Sequence, residues 1–271
     1  MQQVRQPAVA GSFYPGQQHT LANNVNDLLT AGQSKQGEAQ LSPKAIIVPH
    51  AGYIYSGPVA ATAYAQLTAA RDTIKRVVLL GPVHRVPVRG LALPGVSAFA
   101  TPLGQVPIDS AAVASIRDMP QVLESHAAHA QEHSLEVQLP FLQAVLADFK
   151  LLPLAVGDAS GQEVAEVLEV LWGGPETLIV ISSDLSHFLP YQTAQKMDKE
   201  TVQNILNLHG PIHHQQACGG TPVNGLLLAA KQHHLHPQLL DLRNSGDTAG
   251  DKNRVVGYAS IAFTEGADYA R

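Results

Sequence analysis

Short apolar runs rich in Val, Ile and Leu alternate along the chain with longer stretches of helical spacing. This alternation is typical of an α/β protein, because the central strands of a parallel sheet are buried on both faces. The clearest strands are predicted at Lys44 to Pro49, Arg76 to Leu80, Lys150 to Val156, Thr177 to Ser182 and Arg254 to Phe263. We therefore expect a central, largely parallel or mixed sheet flanked by helices.

Helical spacing fills much of the sequence between these strands. Helices are predicted at about Pro58 to Ala70, Ser110 to Arg117, Glu132 to Asp148, Gly161 to Leu171, Thr193 to Leu208 and Pro222 to Gln232. The segment from Leu91 to Val106 carries Pro and Gly at close intervals, so it is predicted to be a hairpin or lid outside the core. The best candidate break, Gly32 to Ser42, only separates an early helix from the first strand, and we expect one domain over residues 1–271.

Composition excludes several classes of protein. Lys plus Arg is 17 and Asp plus Glu is 22, a formal charge of −5, so no strongly basic surface for nucleic acid is expected. A single cysteine excludes an internal disulfide framework and favours a reducing compartment, which indicates the cytoplasm. No apolar run approaches the roughly 18 residues that span a bilayer, and the first residues lack the layout of a signal peptide, so no membrane association is expected.

Three predicted strands run directly into residues that can bind metals or move protons. These residues are His50, His84, and the pair Asp184 and His187. Since the carboxyl ends of parallel strands meet at one edge of a sheet, we expect them to lie close together. A lone histidine after a strand also fits a loop or a buried structural role, but three such positions favour function. Two imidazoles suit iron, copper or zinc, while an aspartate and a further histidine can orient ligands or transfer protons.

This set lacks an anionic ligand, and Cys218 is the candidate for it. Its thiolate would add charge and softness, and the glycines that follow it let the backbone approach closely. A small buried hydrophobic residue is the equally open alternative for a lone cysteine.

A second group of candidates consists of Glu132, His133 and Glu136, with His126 and His129 just upstream. On the predicted helix the two glutamates lie four residues apart on one face. This spacing is not that of a zinc protease, which needs histidines four apart. A solvated helix start, where acidic residues suit the helix dipole, explains the glutamates at least as well. We regard His133 as the more interesting residue.

The remaining histidines fall in polar stretches and are interpreted as surface residues: His19, His209, His213, His214, His233, His234 and His236. The chain also lacks a GxGxxG after a strand, a GxxxxGK[ST] and a GxSxG, so neither nucleotide binding through a glycine loop nor a hydrolase elbow is supported.

With these residues in place, the sequence resembles the Memo-like family, whose bacterial and archaeal members are called AmmeMemoRadiSam system protein B. The resemblance covers most of the chain and rests on six ordered motifs: AGSFYPG from Ala10, PHAGYIYSGPVAATAY from Pro49, GPVH from Gly81, EHSLEVQLPFL from Glu132, SSDLSHF from Ser182 and CGGTPV from Cys218. It implies a single α/β domain similar to the class III extradiol dioxygenases, which use non-haem ferrous iron.

The resemblance also implies roles for individual residues. His50, His84 and Cys218 match the metal pocket, His187 corresponds to the acid/base histidine of the dioxygenases, and Asp184 lines the same pocket. Two further matches to pocket motifs are His133, grouped with the catalytic residues, and Tyr53. Fe(II) is the expected metal, and a thiolate in place of the dioxygenase carboxylate makes copper a competitor and argues against extradiol cleavage.

Three functions remain open. The first is a redox enzyme that uses iron, has an unknown small-molecule substrate and shares a pathway with a radical-SAM enzyme and an AMMECR-type protein, as the family name implies. The second is a non-catalytic protein that holds or delivers iron or copper, or an adaptor that recognises a peptide or another ligand in a vestigial dioxygenase-like cleft. The third is a metal-free α/β protein whose histidines are structural.

Overall fold

A computed structural model describes residues 3–33 and 41–266, so positions 34–40 of the predicted break lie outside the described residues. Helices α1 to α8 span Gln18–Gln33, Tyr53–Tyr64, Ser110–Ile116, His126–Ala130, Leu139–Val145, Gly161–Leu171, Tyr191–Leu206 and Gly220–Gln232. Strands β1 to β12 span Val4–Arg5, Pro43–Val48, Arg76–Pro82, Leu91–Leu93, Ala98–Thr101, Gly104–Pro107, Val122–Glu124, Lys150–Val156, Thr177–Ser182, His187–Leu189, His236–Asn244 and Val255–Thr264. Short 3₁₀ helices lie at Ala65–Ala70, Glu136–Gln138 and Ser245–Asp247.

The main sheet is mixed, with the strand order β10-β12-β2-β9-β3-β8-β4-β7, and β11 also pairs with β12. Its centre is parallel, because β9 lies between β2 and β3, and β8 lies on the other side of β3, all in the same direction. On the two flanks, β12 joins β2 and β4 joins β8 in antiparallel fashion. The predicted α/β fold with a central mixed sheet is confirmed.

Helices cover both faces of the central strands. Along β2, Ile46 and Val48 pack into one apolar core, whereas Ala45 and Ile47 pack into the other. Successive side chains of a strand point to opposite faces, so a strand covered on both sides is apolar at every position. The first core is completed by α1, α2 and α5, and the second by α3, α6, α7 and α8. The predicted strands were located by these continuous apolar runs.

Helix boundaries follow local signals where such signals exist. Helix α6 has the predicted bounds, because Ser160 and Glu163 form a capping box at its start: each side chain accepts a hydrogen bond from the other residue's backbone N–H. Helix α2 begins at Tyr53, five residues before the predicted start, so that Pro58 lies inside the helix. The end of the predicted segment, Ala65–Ala70, is a 3₁₀ helix.

The helix predicted from Glu132 to Asp148 is wrong in its first part. A 3₁₀ helix over Glu136–Gln138 leads into α5, and no helix is assigned from position 131 to position 135. Glu132 is 2% exposed and Glu136 is fully buried, so the interpretation of a solvated acidic helix start is also wrong.

Long-range partners of the two carboxylates explain this departure. Glu136 pairs with the buried guanidinium of Arg5 and accepts hydrogen bonds from the hydroxyl of Tyr14 and from the backbone N–H groups of Ala8 and Val9. These partners lie more than 120 residues away in sequence. A buried carboxylate needs such compensation, and helical periodicity cannot reveal it.

The segment from Leu91 to Val106 is only partly a hairpin. Strand β4, at its start, is buried in the main sheet, so the prediction that the whole segment lies outside the core is wrong. Strands β5 and β6 do form an antiparallel hairpin, and β1 adds to its edge in parallel fashion. The three strands make a separate small sheet.

The carboxyl ends of β2, β9 and β3 lie side by side at one edge of the main sheet. The loops that leave these ends carry the candidate site. Within residues 3–33 and 41–266, no helix has both the length and the apolar character needed to cross a membrane.

Candidate metal centre

Three histidine rings meet at the carboxyl edge of the sheet. His50 follows β2, His84 follows β3, and His133 precedes the 3₁₀ helix before α5. Ring centroids are 5.3 Å apart for His50 and His84, 5.5 Å for His50 and His133, and 4.6 Å for His84 and His133. One ring nitrogen from each residue lies within 4.8 Å of the other two, so the group could hold a metal ion.

The ring of His50 is fixed from behind by Ser182. Its Nδ1 lies 2.8 Å from Ser182 Oγ, which donates its own proton to the carbonyl of Ser134 and accepts a hydrogen bond from the amide of Gln138. Because a hydroxyl has one proton to donate, His50 Nδ1 must carry the proton in this contact. The lone pair of His50 is therefore on Nε2, which is free to bind a metal.

Glu132 fixes His84 in the same way. One carboxylate oxygen of Glu132 lies 2.8 Å from His84 Nδ1, and the other accepts the backbone N–H of His84 at 2.6 Å. Burial raises the pKa of Glu132, but the hydrogen bonds from His84 and from backbone amides outweigh it and hold the pKa at about 2. The ionised carboxylate can only accept, so His84 donates through Nδ1 and keeps its lone pair on Nε2.

His133 completes the three-histidine group. Its backbone N–H donates to Glu132, its ring stacks on His84, and the ring of Phe13 lies 4.7 Å from it on centroids. Burial lowers the pKa of both His50 and His133, and neighbouring histidines add to the effect. Both rings are therefore neutral at neutral pH, which is the form that binds metals.

Cys218 reaches this group through His50. Its Sγ lies 3.3 Å from His50 Nε2. With metal–nitrogen and metal–sulfur bonds of about 2.1 and 2.3 Å, two neighbouring ligands of one ion lie about 3.1 to 3.6 Å apart, so this distance fits a shared ion. Cys218 is not one of the three residues whose donor atoms all lie mutually within 4.8 Å.

The thiol of Cys218 is half-buried beside the cavity, and this burial favours its protonated form. Burial raises its pKa to about 12, and the carboxyl of Asp184 adds to this rise. A thiolate here needs a nearby positive charge, and a bound metal ion would supply one.

Glycines make the close approach of Cys218 feasible. A Cβ at Gly219 would lie 2.8 Å from the carbonyl oxygen of Ser182, and one at Gly220 would lie 2.7 Å from that of Ile212. The sequence prediction that glycines permit this approach is confirmed.

Asp184 ties the loops of His50 and Cys218 together. Its carboxylate accepts the backbone N–H of His50 at 2.7 Å, and its carbonyl accepts the backbone N–H of Cys218 at 3.2 Å. Its side chain is buried, and burial raises the pKa of its carboxyl. The structure thus gives Asp184 a direct part in placing two candidate ligands.

A cavity of about 1090 Å³ opens beside the centre and is lined by His84, His187 and Cys218. The Nδ1 of His187 lies 2.9 Å from the carbonyl oxygen of Leu185. A carbonyl only accepts, so Nδ1 carries the proton and Nε2 is the basic atom of a side chain that lines the cavity. Apolar walls come from residues such as Val88, Val156, Leu189 and Met197.

Tyr53 is placed differently from the other predicted site residues. Its side chain is buried in the core, and its hydroxyl donates to the carbonyl of Val137 at 2.7 Å. Its ring packs against Tyr14 and Phe141. The structure does not bring the Tyr53 hydroxyl to the three histidines.

Sequence reasoning missed the supports of the ligands and one cavity residue. Ser182 ends a predicted strand and begins the SSDLSHF motif, and Glu132 begins the EHSLEVQLPFL motif, but nothing in the sequence indicates that these two side chains would contact His50 and His84. His214 is exposed, as predicted, but it also lines the cavity and its Nδ1 lies 3.2 Å from the carbonyl oxygen of Cys218. His129 is buried, with Nε2 bonded to the carbonyl of Ala92.

The fold and the site together define an α/β protein with a histidine-rich centre able to hold a metal ion. Its sequence matches the family described as Memo-like protein over residues 5–262. The chain belongs to the Memo-like family.

Several curated relatives are similar over nearly their whole length. A MEMO1 family protein of Aquifex aeolicus is 38% identical over 276 residues, covering 96% of this chain and 99% of the relative. A MEMO1 family protein of Methanopyrus kandleri is 36% identical, covering 97% and 99%. The crystal structure of an uncharacterized protein from Escherichia coli K12 has a TM-score of 0.50 with 14% identity, over 80% of this chain and 99% of that one, and shows similarity of fold alone.

Proposed function

We propose that this protein binds Fe(II) through His50, His84 and Cys218 and is a non-haem iron oxidoreductase that acts on a small molecule in the adjacent cavity. One observation carries the proposal: both histidines have Nδ1 committed to an acceptor, so that each presents Nε2 as a ligand. Such outer partners are typical of metal-binding histidines, because they set both the ring orientation and the basicity of the ligand.

The third ligand decides which metal the site favours. Cys218 supplies sulfur and a negative charge, and its contact of 3.3 Å with His50 supports it. His133 is the competing third ligand, because it belongs to the mutual histidine group. Two nitrogens and a thiolate suit Fe(II) and also Cu(I), whereas three nitrogens suit harder divalent ions equally well.

Bound iron would supply redox chemistry with dioxygen. The protein's own groups would handle protons and orientation: His187 Nε2 would accept a proton from a ligand in the cavity, and Nδ1–H, held on Leu185, would stabilise the resulting imidazolium. Asp184 would hold His50 and Cys218 in place by accepting the backbone N–H group of each. His133 would contribute a second basic ring beside the metal.

The resemblance to class III extradiol dioxygenases supports the pairing of an iron site with an acid/base histidine. A thiolate in place of their carboxylate argues against ring cleavage itself. The name AmmeMemoRadiSam system protein B suggests a pathway shared with a radical-SAM enzyme and an AMMECR-type protein. The single cysteine supports a location in the cytoplasm.

A non-catalytic protein that holds or delivers iron or copper is the second candidate, and the combination of the half-buried Cys218 thiol with the neutral ring of His50 supports it. Metal binding by such a protein would depend on the ligands and would not require His187.

The two functions are separated by comparing His187→Ala with His50→Ala after anaerobic loading with Fe(II). Metal content and the rate of oxygen consumption, with a panel of small reductants and phenols as co-substrates, are measured in each. We expect His50→Ala to lose both, and His187→Ala to keep the metal and lose oxygen consumption. Oxygen consumption that persists in His187→Ala overturns the acid/base role, and metal retention with no consumption even in the wild type supports the holding function.

A further inference from the structure

Phe188, the residue after His187, has a backbone conformation that bulky residues rarely adopt. Its φ is +58°, in the left-handed region. In that region the Cβ of an L-residue crowds the neighbouring carbonyl, so non-glycine residues are uncommon there and are typically Asn or Asp. The strained residue lies next to the side chain to which the proposed function assigns proton transfer.

The strand pairing around Phe188 is irregular at the same point. His187 pairs with Val256 and Leu189 pairs with Val255, so two steps along β10 correspond to one step along β12. Phe188 is therefore the extra residue of a β-bulge. Bulges bend the strand and re-aim side chains, and they are frequent beside active sites.

The side chains on either side of Phe188 point away from that of Phe188. His187 and Leu189 both line the cavity, whereas the Phe188 side chain is 59% exposed. The ring of Phe188 packs beneath the guanidinium of Arg254, 4.9 Å from its centroid, and makes an edge contact with the ring of His187 at 5.7 Å. These contacts help to offset the backbone strain.

The chain on the other side of His187 is also fixed. The backbone N–H of Ser186 donates to the buried carboxyl of Asp198, and the carbonyl of Ser186 accepts the N–H of Gly257. A Cβ at Gly257 would lie 2.0 Å from the Asp198 carboxyl, so this approach requires glycine. His187 therefore lies between an anchored residue and a strained one.

We infer that Phe188 is a positioning residue whose left-handed backbone directs the imidazole of His187 so that Nδ1 bonds to Leu185 and Nε2 serves the cavity. The importance of this placement rests on the proposed function, but the placement itself is a property of the metal-free protein and can be measured without turnover.

The test compares substitutions that tolerate positive φ with one that does not. Phe188→Gly and Phe188→Asn allow the conformation without a ring, Phe188→Val opposes it because a β-branched residue is strained there, and Phe188→Tyr keeps both ring and contact. Arg254→Met removes the guanidinium alone. The readout is long-range ¹H–¹⁵N correlation of the histidine rings in metal-free protein, with the His187 signals assigned from His187→Ala.

Wild type, Tyr, Asn and Gly variants are expected to show His187 as a single tautomer protonated at Nδ1, and the Val variant is expected to show exchange-averaged ring nitrogens. Retention of the Nδ1–H tautomer in a folded Val variant would overturn the inference. Loss of the tautomer in the Gly and Asn variants as well would show that the Phe188 ring, and not its left-handed backbone, positions His187, and this would overturn the inference. Arg254→Met would then show whether the contact between the guanidinium and the Phe188 ring is responsible. If Phe188→Val does not fold, Phe188→Ala takes its place, because alanine also disfavours positive φ but is not β-branched; retention of the Nδ1–H tautomer in a folded Phe188→Ala variant would equally overturn the inference. Unchanged oxygen consumption in His187→Ala would remove the catalytic role and leave this result standing.

Discussion

The Nδ1–H of His50 donates a hydrogen bond of 2.8 Å to the Oγ of Ser182, and this contact determines which nitrogen His50 can offer to a metal. Ser182 Oγ is saturated, since it also accepts from Gln138 and donates to the carbonyl of Ser134. The three bonds leave one arrangement of protons, in which Nε2 of His50 carries the lone pair beside Cys218. Ser182, at the end of β9, thus fixes the tautomer in which His50 can bind a metal through Nε2.

Ser182→Ala is expected to weaken metal binding by about 10- to 100-fold, the range typical for loss of an outer partner of a metal-binding histidine. Without its acceptor, His50 can rotate and can adopt the other tautomer. The measurement is competition for Fe(II) against a chelator of known affinity under anaerobic conditions. Ser186→Ala is the matched control, because this serine is also buried but its Oγ makes no hydrogen bond to His50, His84 or Cys218. Equal affinity in the Ser182 and Ser186 variants would contradict the assignment.

Glu132→Gln is expected to reduce metal affinity by a similar factor of about 10 to 100 through His84. The amide preserves the size of the side chain but places an NH₂ group against one of two N–H donors of His84. Replacement of Glu163 of the α6 capping box by Gln is the matched control, because its carboxylate bonds to Ser160 and to none of the candidate ligands. Metal titration followed by absorbance of bound Co(II) measures both. An unaltered Co(II) spectrum and affinity in Glu132→Gln would show that His84 needs no such support.

Substitutions of Cys218 and His133 separate the two candidates for the third ligand. If sulfur is the ligand, Cys218→Ser lowers the affinity for Cu(I) far more than that for Zn(II), because a hydroxyl is a poor substitute for a thiolate. In that case His133→Ala leaves the sulfur-to-metal charge-transfer band of the Co(II) protein in place. Absence of this band in the wild type, together with loss of metal in His133→Ala, would show that His133 and not Cys218 is the third ligand.

Stability in acid is expected to depend on His129. Burial lowers the pKa of His129 to about 4, below the unfolded value of 6.5, because the folded protein holds the neutral ring. As pH falls from 6.5 towards 4, the unfolded chain takes up a proton that the folded chain cannot, so the free energy of unfolding falls, by about 3 kcal/mol at most. Urea unfolding across this range should show a shallower decline for His129→Gln, while His19→Gln, an exposed control, should follow the wild type. Parallel curves for all three proteins would refute the role of His129.

Much of the fold was predictable because its central strands are buried on both faces. The runs around Ile46 and Ile179 are apolar at nearly every position, so they could be located without knowledge of their neighbours. The convergence of His50 and His84 followed from the geometry of parallel strands. Both predictions use only local sequence and one rule of sheet construction.

The contacts that complete the site were not predictable in this way. Glu132 and Glu136 lie at helical spacing, yet each is buried by partners from distant parts of the chain, and no periodicity records such partners. The contribution of Ser182 depends on three hydrogen bonds from separate segments. The left-handed backbone of Phe188 is equally hidden, because phenylalanine gives no sequence signal for positive φ.

The most direct test of the metal centre is elemental analysis of protein purified without oxygen, comparing the wild type with His50→Ala and with His19→Ala, an exposed histidine of α1. We expect close to one equivalent of iron in the wild type and in His19→Ala, and almost none in His50→Ala. A wild-type protein that takes up no metal after anaerobic reconstitution, or a His50→Ala variant that keeps its full complement, would contradict this expectation.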